Sequence, residues 1–408
     1  MTCPALLRLL AVVYGAPKYA LDEASRTSHP LYSVRLAKDN MTDHQRTLRR
    51  PLLGAALTAA ALGLCGISPR LLAAGKRRVS VREEEIEPGR YQNHPQTRAF
   101  IDEMVANNGF QRAELEGWFS QAVYSTTVAR LIMPPTTPGK KSWRAYRSRF
   151  IEPIRINAGV RFWQQNRETL RRAEAEFGVP ASVIVGIIGV ETIYGRDMGN
   201  FRVLDSLSTL AFDYPDTPNR EARTKLFRNQ LADYLLWCRD TKTDVFSVLG
   251  SYAGAIGIPQ FMPTSLREYA VDYDGDGHID LRNSPTDAIG SVGRFLQLHG
   301  WEQGRPVVWQ IANDDGSRGV AAAAADGEPW PTRTLNQLTR AGLRVDEPID
   351  VTREGETGVL IADLPTPDQP TEYVIGLRNF YVLTRYNRSF FYALTVYQLG
   401  EAVKAAMA

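Results

Sequence analysis

The stretch Val183–Arg196, "VIVGIIGVETIYGR", is an apolar run with one acid near its end. Val183, Ile187 and Val190 fall on one helical face, and Ile184 and Ile188 on the neighbouring one, so the run predicts a helix buried on most sides. Gly186 and Gly189 allow a second helix to approach closely. Upstream, Val160, Phe162, Trp163, Leu170 and Ala173 keep helical spacing, which predicts one long amphipathic helix from Ile154 to Phe177. Gly178 closes it and Pro180 opens the next. Helical patterns also occupy "TRAFIDEMVANNGF", "RAELEGWFSQA", Thr224–Arg239, "TSLREYAVDY" and "PTDAIGSVGRFLQLHG", while the prolines of "LIMPPTTPGKKSW" predict a loop. From Trp301 to about Leu377, Gly, Pro and Asp punctuate short runs such as "TGVLIADL" and "EYVIGL", which read as strands, as does "NFYVLTRYN" after them. "SFFYALTVYQLGEAVKAAMA" closes the chain as a helix. The pattern predicts a mainly α (α+β) protein with a small β-rich insertion, and no repeat of solenoid period is visible.

Charge separates the front of the chain from its body. Residues 1–78 carry twelve Lys/Arg against four Asp/Glu, a net of +8, whereas the whole chain is +3, which leaves −5 for the remainder. The basic excess is therefore local, and the body offers no electrostatic case for nucleic-acid binding. From Met41 the front reads as an export signal: a basic segment ending in Arg49 and Arg50, an apolar run from about Leu52 to Ile67, then small residues near Ala73 and Ala74. "RTLRRPLL" resembles a twin-arginine signal, which implies a periplasmic location. Residues 1–40 add nothing that such a signal needs, so Met41 is the expected start. The apolar run is short for a permanent membrane helix, and Leu64 before Cys65 argues against a lipidated cysteine. Once the signal is cleaved, Cys238 is the one cysteine left, and a buried structural thiol is its expected role.

Glu191 is the candidate proton donor. It lies in the last turn of the buried helix, with Gly195 placed to end it. Burial and the negative helix end both disfavour a carboxylate, so both raise its pKa towards the range where a general acid works at neutral pH. A structural alternative is a tie from Glu191 to Arg196 or Arg202.

"GIIGVETIYGRDMGNFRVLDSLSTLAFDYP" closely resembles the catalytic-glutamate region of the lytic murein transglycosylase B family. The resemblance continues through "SYAGAIGIPQFMPTSLREYAVDYDGDGHIDL", "DAIGSVGRFLQLHGW" and "LTRYNRSFFYALTVYQLG", from about residue 95 to the C-terminus, and is loose within 301–377. It implies a lysozyme-like core that cleaves the MurNAc–GlcNAc bond of peptidoglycan without water, leaving a 1,6-anhydromuramyl end. It implies that Glu191 acts first as acid and then as base. It also implies substrate contacts at Tyr146, Ser251, Gln260, Tyr386, Asn387 and Tyr392; Ser251 or Asn387 as caps and Tyr146 or Tyr392 as core filling are the structural alternatives. The expected organisation is an upstream segment over 1–78, a helical subdomain from 79–152 and about 205–245, a catalytic core from 153–204, 246–300 and 378–408, and a small β-rich subdomain over 301–377.

"DYDGDGHID" places Asp272, Asp274 and Asp276 at alternate positions before Gly277, the start of a calcium loop in which His278 would offer its carbonyl. The twelfth position is Asn283 rather than Glu. The family resembles an EF-hand with a lengthened loop, which makes Asp287 the last ligand; its alternative is a capping role with Ser284. A structural Ca2+ and no organic cofactor are expected. The expected partner is the peptidoglycan glycan strand, acted on by a monomer without a stable transmembrane segment. A hydrolytic muramidase using Asp205 or Asp213 as second acid, and a calcium-stabilised peptidoglycan-binding protein without catalysis, are the competing functions.

Overall fold

The computed structural model describes residues 89–134 and 139–408. The export signal and the Cys65 and Met41 readings lie outside these residues. The helices and strands run α1 Pro95–Asn108, α2 Arg112–Gln121, α3 Thr126–Leu131, α4 Trp143–Arg147, α5 Pro153–Gln165, α6 Arg167–Phe177, α7 Ala181–Thr192, β1 Phe201–Arg202, α8 Val203–Phe212, α9 Arg220–Thr241, β2 Leu249–Gly250, α10 Pro263–Tyr269 and α11 Pro285–Leu298. They continue with β3 Val308–Gln310, α12 Asp315–Ala324, β4 Arg333–Thr334, α13 Leu335–Arg340, α14 Val351–Glu354, β5 Gly358–Leu364, β6 Glu372–Gly376, α15 Arg378–Tyr386 and α16 Phe390–Ala405. The chain is mainly helical with small antiparallel sheets, as the periodicity predicts.

At the centre, α7 is buried along nearly its whole length and runs antiparallel to α16. The two backbones touch. A Cβ on Gly186 would stand 2.2 Å from the Val396 carbonyl oxygen, and one on Gly400 would stand 2.1 Å from that of Ser182. Gly at these positions is a packing requirement, because only a missing side chain lets the helix axes come this close.

The four-stranded sheet, ordered β3-β6-β5-β4 and antiparallel throughout, divides two apolar cores. Strand alternation does the dividing. Leu360, Ala362 and Leu364 of β5 join the main core, while Val359 and Ile361 join a second core with Leu335, Leu338 and Ile375.

Three expectations change. The single helix over Ile154–Phe177 is two, α5 and α6, broken at Asn166, whose Nδ2 donates to the Phe162 carbonyl at 2.8 Å. The segment Trp301–Leu377 carries three short helices beside its strands, so it is mixed rather than β-rich. "NFYVLTRYN" is helical in α15: Asn379, Phe380, Val382 and Leu383 are buried, a spacing that makes one helical face. Asn379 Nδ2 donates to the Glu302 and Arg305 carbonyls at 2.9 and 2.8 Å, anchoring that face. Its aromatic and β-branched residues suit a strand locally, but packing selects the helix.

Candidate active site

Glu191 sits in the last turn of α7. The helix does not wait for Gly195 to end. Ile193 and Tyr194 already take left-handed backbone angles, φ 51° and 59°. Two consecutive non-Gly residues in this region are strained and need the surrounding structure to hold them. Thr192 supplies part of that hold: its Oγ1 donates to the Ile258 carbonyl at 2.8 Å and accepts from the Gly195 N–H at 2.9 Å.

The partner of Glu191 comes from the first turn of α16. Tyr392, 2% exposed, donates its hydroxyl to Glu191 Oε1 at 2.6 Å. Glu191 keeps some accessible surface, yet protein crowds its carboxyl. Burial lifts its pKa from 4.5 to about 7, against the opposing hydrogen bond from Tyr392. No ion pair joins Glu191 to Arg196 or to Arg202 among the described residues, and Arg202 instead grips Asp205 at 2.7 Å. Asp213 is held by Arg90 at 3.0 Å. Both candidate second acids are therefore committed to guanidinium partners.

Around this pair the sequence-predicted residues divide by what valence they keep free. The Tyr386 ring lies 6.3 Å from that of Tyr392, nearly parallel, and its hydroxyl donates to the Pro259 carbonyl at 2.5 Å. Tyr146 packs its ring 5.5 Å from Phe391, and burial first and the Glu191 charge second push its hydroxyl upward. Gln260 also has a left-handed backbone, φ 53°; its Nε2 donates to the Gly257 and Met198 carbonyls at 2.9 and 3.3 Å, which leaves Oε1 to accept. Asn387 ends α15, and its Oδ1 is buried with no hydrogen-bond partner, a ready acceptor. Ser251 is buried and braces the base of the same loop: its Oγ accepts from the Ala255 N–H at 3.0 Å, leaving its hydroxyl proton free to donate. No direct contact joins Ser251 to Glu191 or Tyr392 among the described bonds.

One site neighbour escaped the sequence reading. Arg155, near the start of α5, is 2% exposed, and its Nη1 donates to the Gly189 carbonyl of α7. The adjacent Ile154 is 66% exposed. Hydropathy places these two the other way round, so periodicity gives no signal for it.

The acidic loop gathers Asp272, Asp274 and Asp276 with ligand oxygens within 4.8 Å of one another. Gly275 and Gly277, both at positive φ, turn the backbone so that the Gly275, Asp276 and Gly277 N–H groups donate to Asp272. An all-oxygen carboxylate trio suits a hard cation such as Ca2+. His278 follows, with its N–H on Asp276 Oδ1 at 2.8 Å. Asp287 stands outside the trio. It is 1% exposed, and its carboxylate accepts from the Tyr273, Asp274 and Asp280 N–H groups, while its own N–H is capped by Ser284. Its observed work is to brace the loop on α11.

Cys238 is buried and free, and burial pushes its thiol up to about 12. Among the described residues no single helix is long and apolar enough to cross a membrane.

Residues 92–401 match the family described as the transglycosylase SLT domain. Membrane-bound lytic murein transglycosylase B of Escherichia coli (strain K12) is 41% identical over 330 residues, 78% of this chain and 85% of that protein. The catenated lytic transglycosylase SltB1 of Pseudomonas aeruginosa superposes with a TM-score of 0.71 at 43% identity, covering 78% of this chain and 100% of that one. The Escherichia coli lytic transglycosylase Slt35 in complex with calcium superposes at 0.66 with 40% identity, covering 79% of this chain and 96% of that one.

Proposed function

We propose how this chain, which belongs to the SLT transglycosylases and is a lytic murein transglycosylase, cuts peptidoglycan: Glu191 alone performs both proton transfers. With a pKa near 7 the carboxyl is about half protonated at neutral pH and largely protonated below it. It donates that proton to the oxygen linking MurNAc to GlcNAc, and the bond to the muramyl C1 breaks. The resulting carboxylate takes the proton of the muramyl 6-hydroxyl as that oxygen bonds to C1. The proton lost in the first step is regained in the second, no water is consumed, and the product carries a 1,6-anhydro ring. Because the nucleophile belongs to the substrate, proximity replaces the second carboxylate that ordinary glycosidases use. The commitment of Asp205 and Asp213 to arginines supports this over a hydrolytic muramidase.

Tyr392 orients the carboxyl. Tyr146 and Tyr386 present ring faces and hydroxyls to sugar, and Asn387 Oδ1, Gln260 Oε1 and the Ser251 hydroxyl supply polar contacts to N-acetyl and hydroxyl groups. Asp272, Asp274 and Asp276, with the His278 carbonyl, would hold a structural Ca2+ that fixes the loop; Asp287 supports them from behind. The protein acts in the periplasm as a monomer, reached through the Arg49–Arg50 signal.

The Tyr392–Glu191 bond at 2.6 Å, set in a site that raises the acid's pKa, carries this reading. Digestion of purified sacculi tests it. Wild-type products should be one water lighter than reducing-end muropeptides. Glu191→Gln should lower turnover by ~10⁴-fold or more while sacculus binding persists. Wild-type products of hydrolytic mass, or turnover surviving in Glu191→Gln, would overturn it.

A further inference from the structure

Arg155 is the largest fully buried side chain among the described residues, and none of them offers it a carboxylate at ion-pair distance. Burying a guanidinium without such a partner is costly, by several kcal/mol. What it meets instead is the end of α7. Nη1 lies 2.5 Å from the Gly189 carbonyl oxygen and 3.5 Å from that of Val190, with the Phe150 ring 5.0 Å from the guanidinium carbon. The Nε has no partner. Burial lowers its pKa most, and the charges of Glu152, Tyr194 and Asp197 act in the opposite direction.

Helix closure does not require this arginine. The Gly189 carbonyl already accepts the Ile193 N–H at 3.3 Å, and the Ile188 carbonyl the Tyr194 N–H at 3.4 Å. The guanidinium is a second donor on a carbonyl already satisfied, and the peptide it reaches towards next, that of Val190, leads directly into Glu191. An apolar side chain would fill the same space at lower cost.

We propose that Arg155 is a positioning residue for the reaction: it clamps the last two carbonyls before Glu191 and so holds that carboxyl against Tyr392. The proposal rests on Glu191 being the acid. The other groups facing Glu191 are the Tyr392 hydroxyl from α16 and Tyr146 from α4, with Tyr386 acting on Tyr392. None is a cation; Arg149 acts on Tyr146, and Arg155 is the guanidinium bonded to this helix end.

Loosening the carboxyl from Tyr392 weakens the hydrogen bond that favours its ionised form and raises its pKa. Arg155→Met should therefore move the alkaline limb of the kcat profile upward by about half a pH unit. Loss of the clamp should lower kcat by ~10-fold or more with KM nearly unchanged, because the acid is misplaced while the sugar contacts remain. Arg155→Lys keeps the charge but reaches one carbonyl; its limb should stay at the wild-type pH with kcat reduced a few fold. Circular dichroism and thermal melts establish that each variant is folded. Should Arg155→Met fail to fold, Arg155→Lys decides: wild-type kcat there overturns the clamp. A folded Arg155→Met with wild-type kcat and limb, or with activity lost only in proportion to unfolded protein, also overturns it. Glu191→Gln, run alongside, separates the two failures: if it cuts at the wild-type rate, the acid assignment is wrong, whereas if it is inactive while the Arg155 variants behave as wild type, only the clamp is wrong.

Discussion

On the proposed mechanism, a single carboxyl whose pKa is near 7 makes activity a direct reading of its protonation. The first step needs the protonated form, which exists below the pKa, so the rate should fall as pH rises through about 7. Tyr392 donates to Oε1 and so favours the ionised form; its removal favours the acid. Tyr392→Phe should shift the alkaline limb of kcat/KM upward by about one pH unit while lowering the plateau, since the carboxyl loses its orienting partner. A pH–rate profile checks both effects, and an unchanged limb would mean that the hydroxyl does not act on Glu191 in solution.

Close approach of helices positions this residue. In Gly186→Ala the new Cβ would meet the backbone carbonyl of Val396, which cannot rotate away, so α7 and α16 must separate. A loss of ~1–3 kcal/mol or more is expected in urea melts. Gly117 in α2, where a Cβ meets nothing within 4 Å, provides the contrast: Gly117→Ala should be neutral or stabilise by ~0.5–1 kcal/mol. The acidic loop makes a second prediction at this scale. If Asp272, Asp274 and Asp276 hold Ca2+, saturation at about 100 times its dissociation constant should add ~2.7 kcal/mol of stability. Asp274→Ala should abolish most of that gain, and melting curves indifferent to calcium and to chelator would exclude the site. That Asp287, the expected last ligand, also accepts three backbone N–H groups was not legible from spacing, because an acid three residues into a helix and a ligand at the end of a loop look alike in sequence.

For the whole molecule, the sheet wall joins the two apolar cores through shared strands rather than a linker. Leu360 and Ile361, adjacent in β5, serve different cores. The proposed export signal lies within residues 1–78, whose basic excess does not recur in the body. Replacing Arg49 and Arg50 with lysine should leave the precursor in the cytoplasm, as fractionation and immunoblotting would show. Mature protein still reaching the periplasm would point to the general secretory route.

Local pattern was enough wherever the deciding interactions lie within a few residues. The burial of α7, its closely packing glycines, the strands β5 and β6, the acid at a helix end and the spacing of Asp272, Asp274 and Asp276 all follow from periodicity and residue type. Tertiary structure decided what depends on distant partners. Tyr392 meets Glu191 across 201 positions. Arg155 is inside and Ile154 outside because the guanidinium finds helix-end carbonyls there, a compensation that no hydropathy pattern contains. Arg378–Tyr386 is a helix because Asn379 and its neighbours dock as one face against 302–305, overriding a local preference for strand. Apolar periodicity records which face is buried; it carries no record of which polar groups will be waiting on the other side.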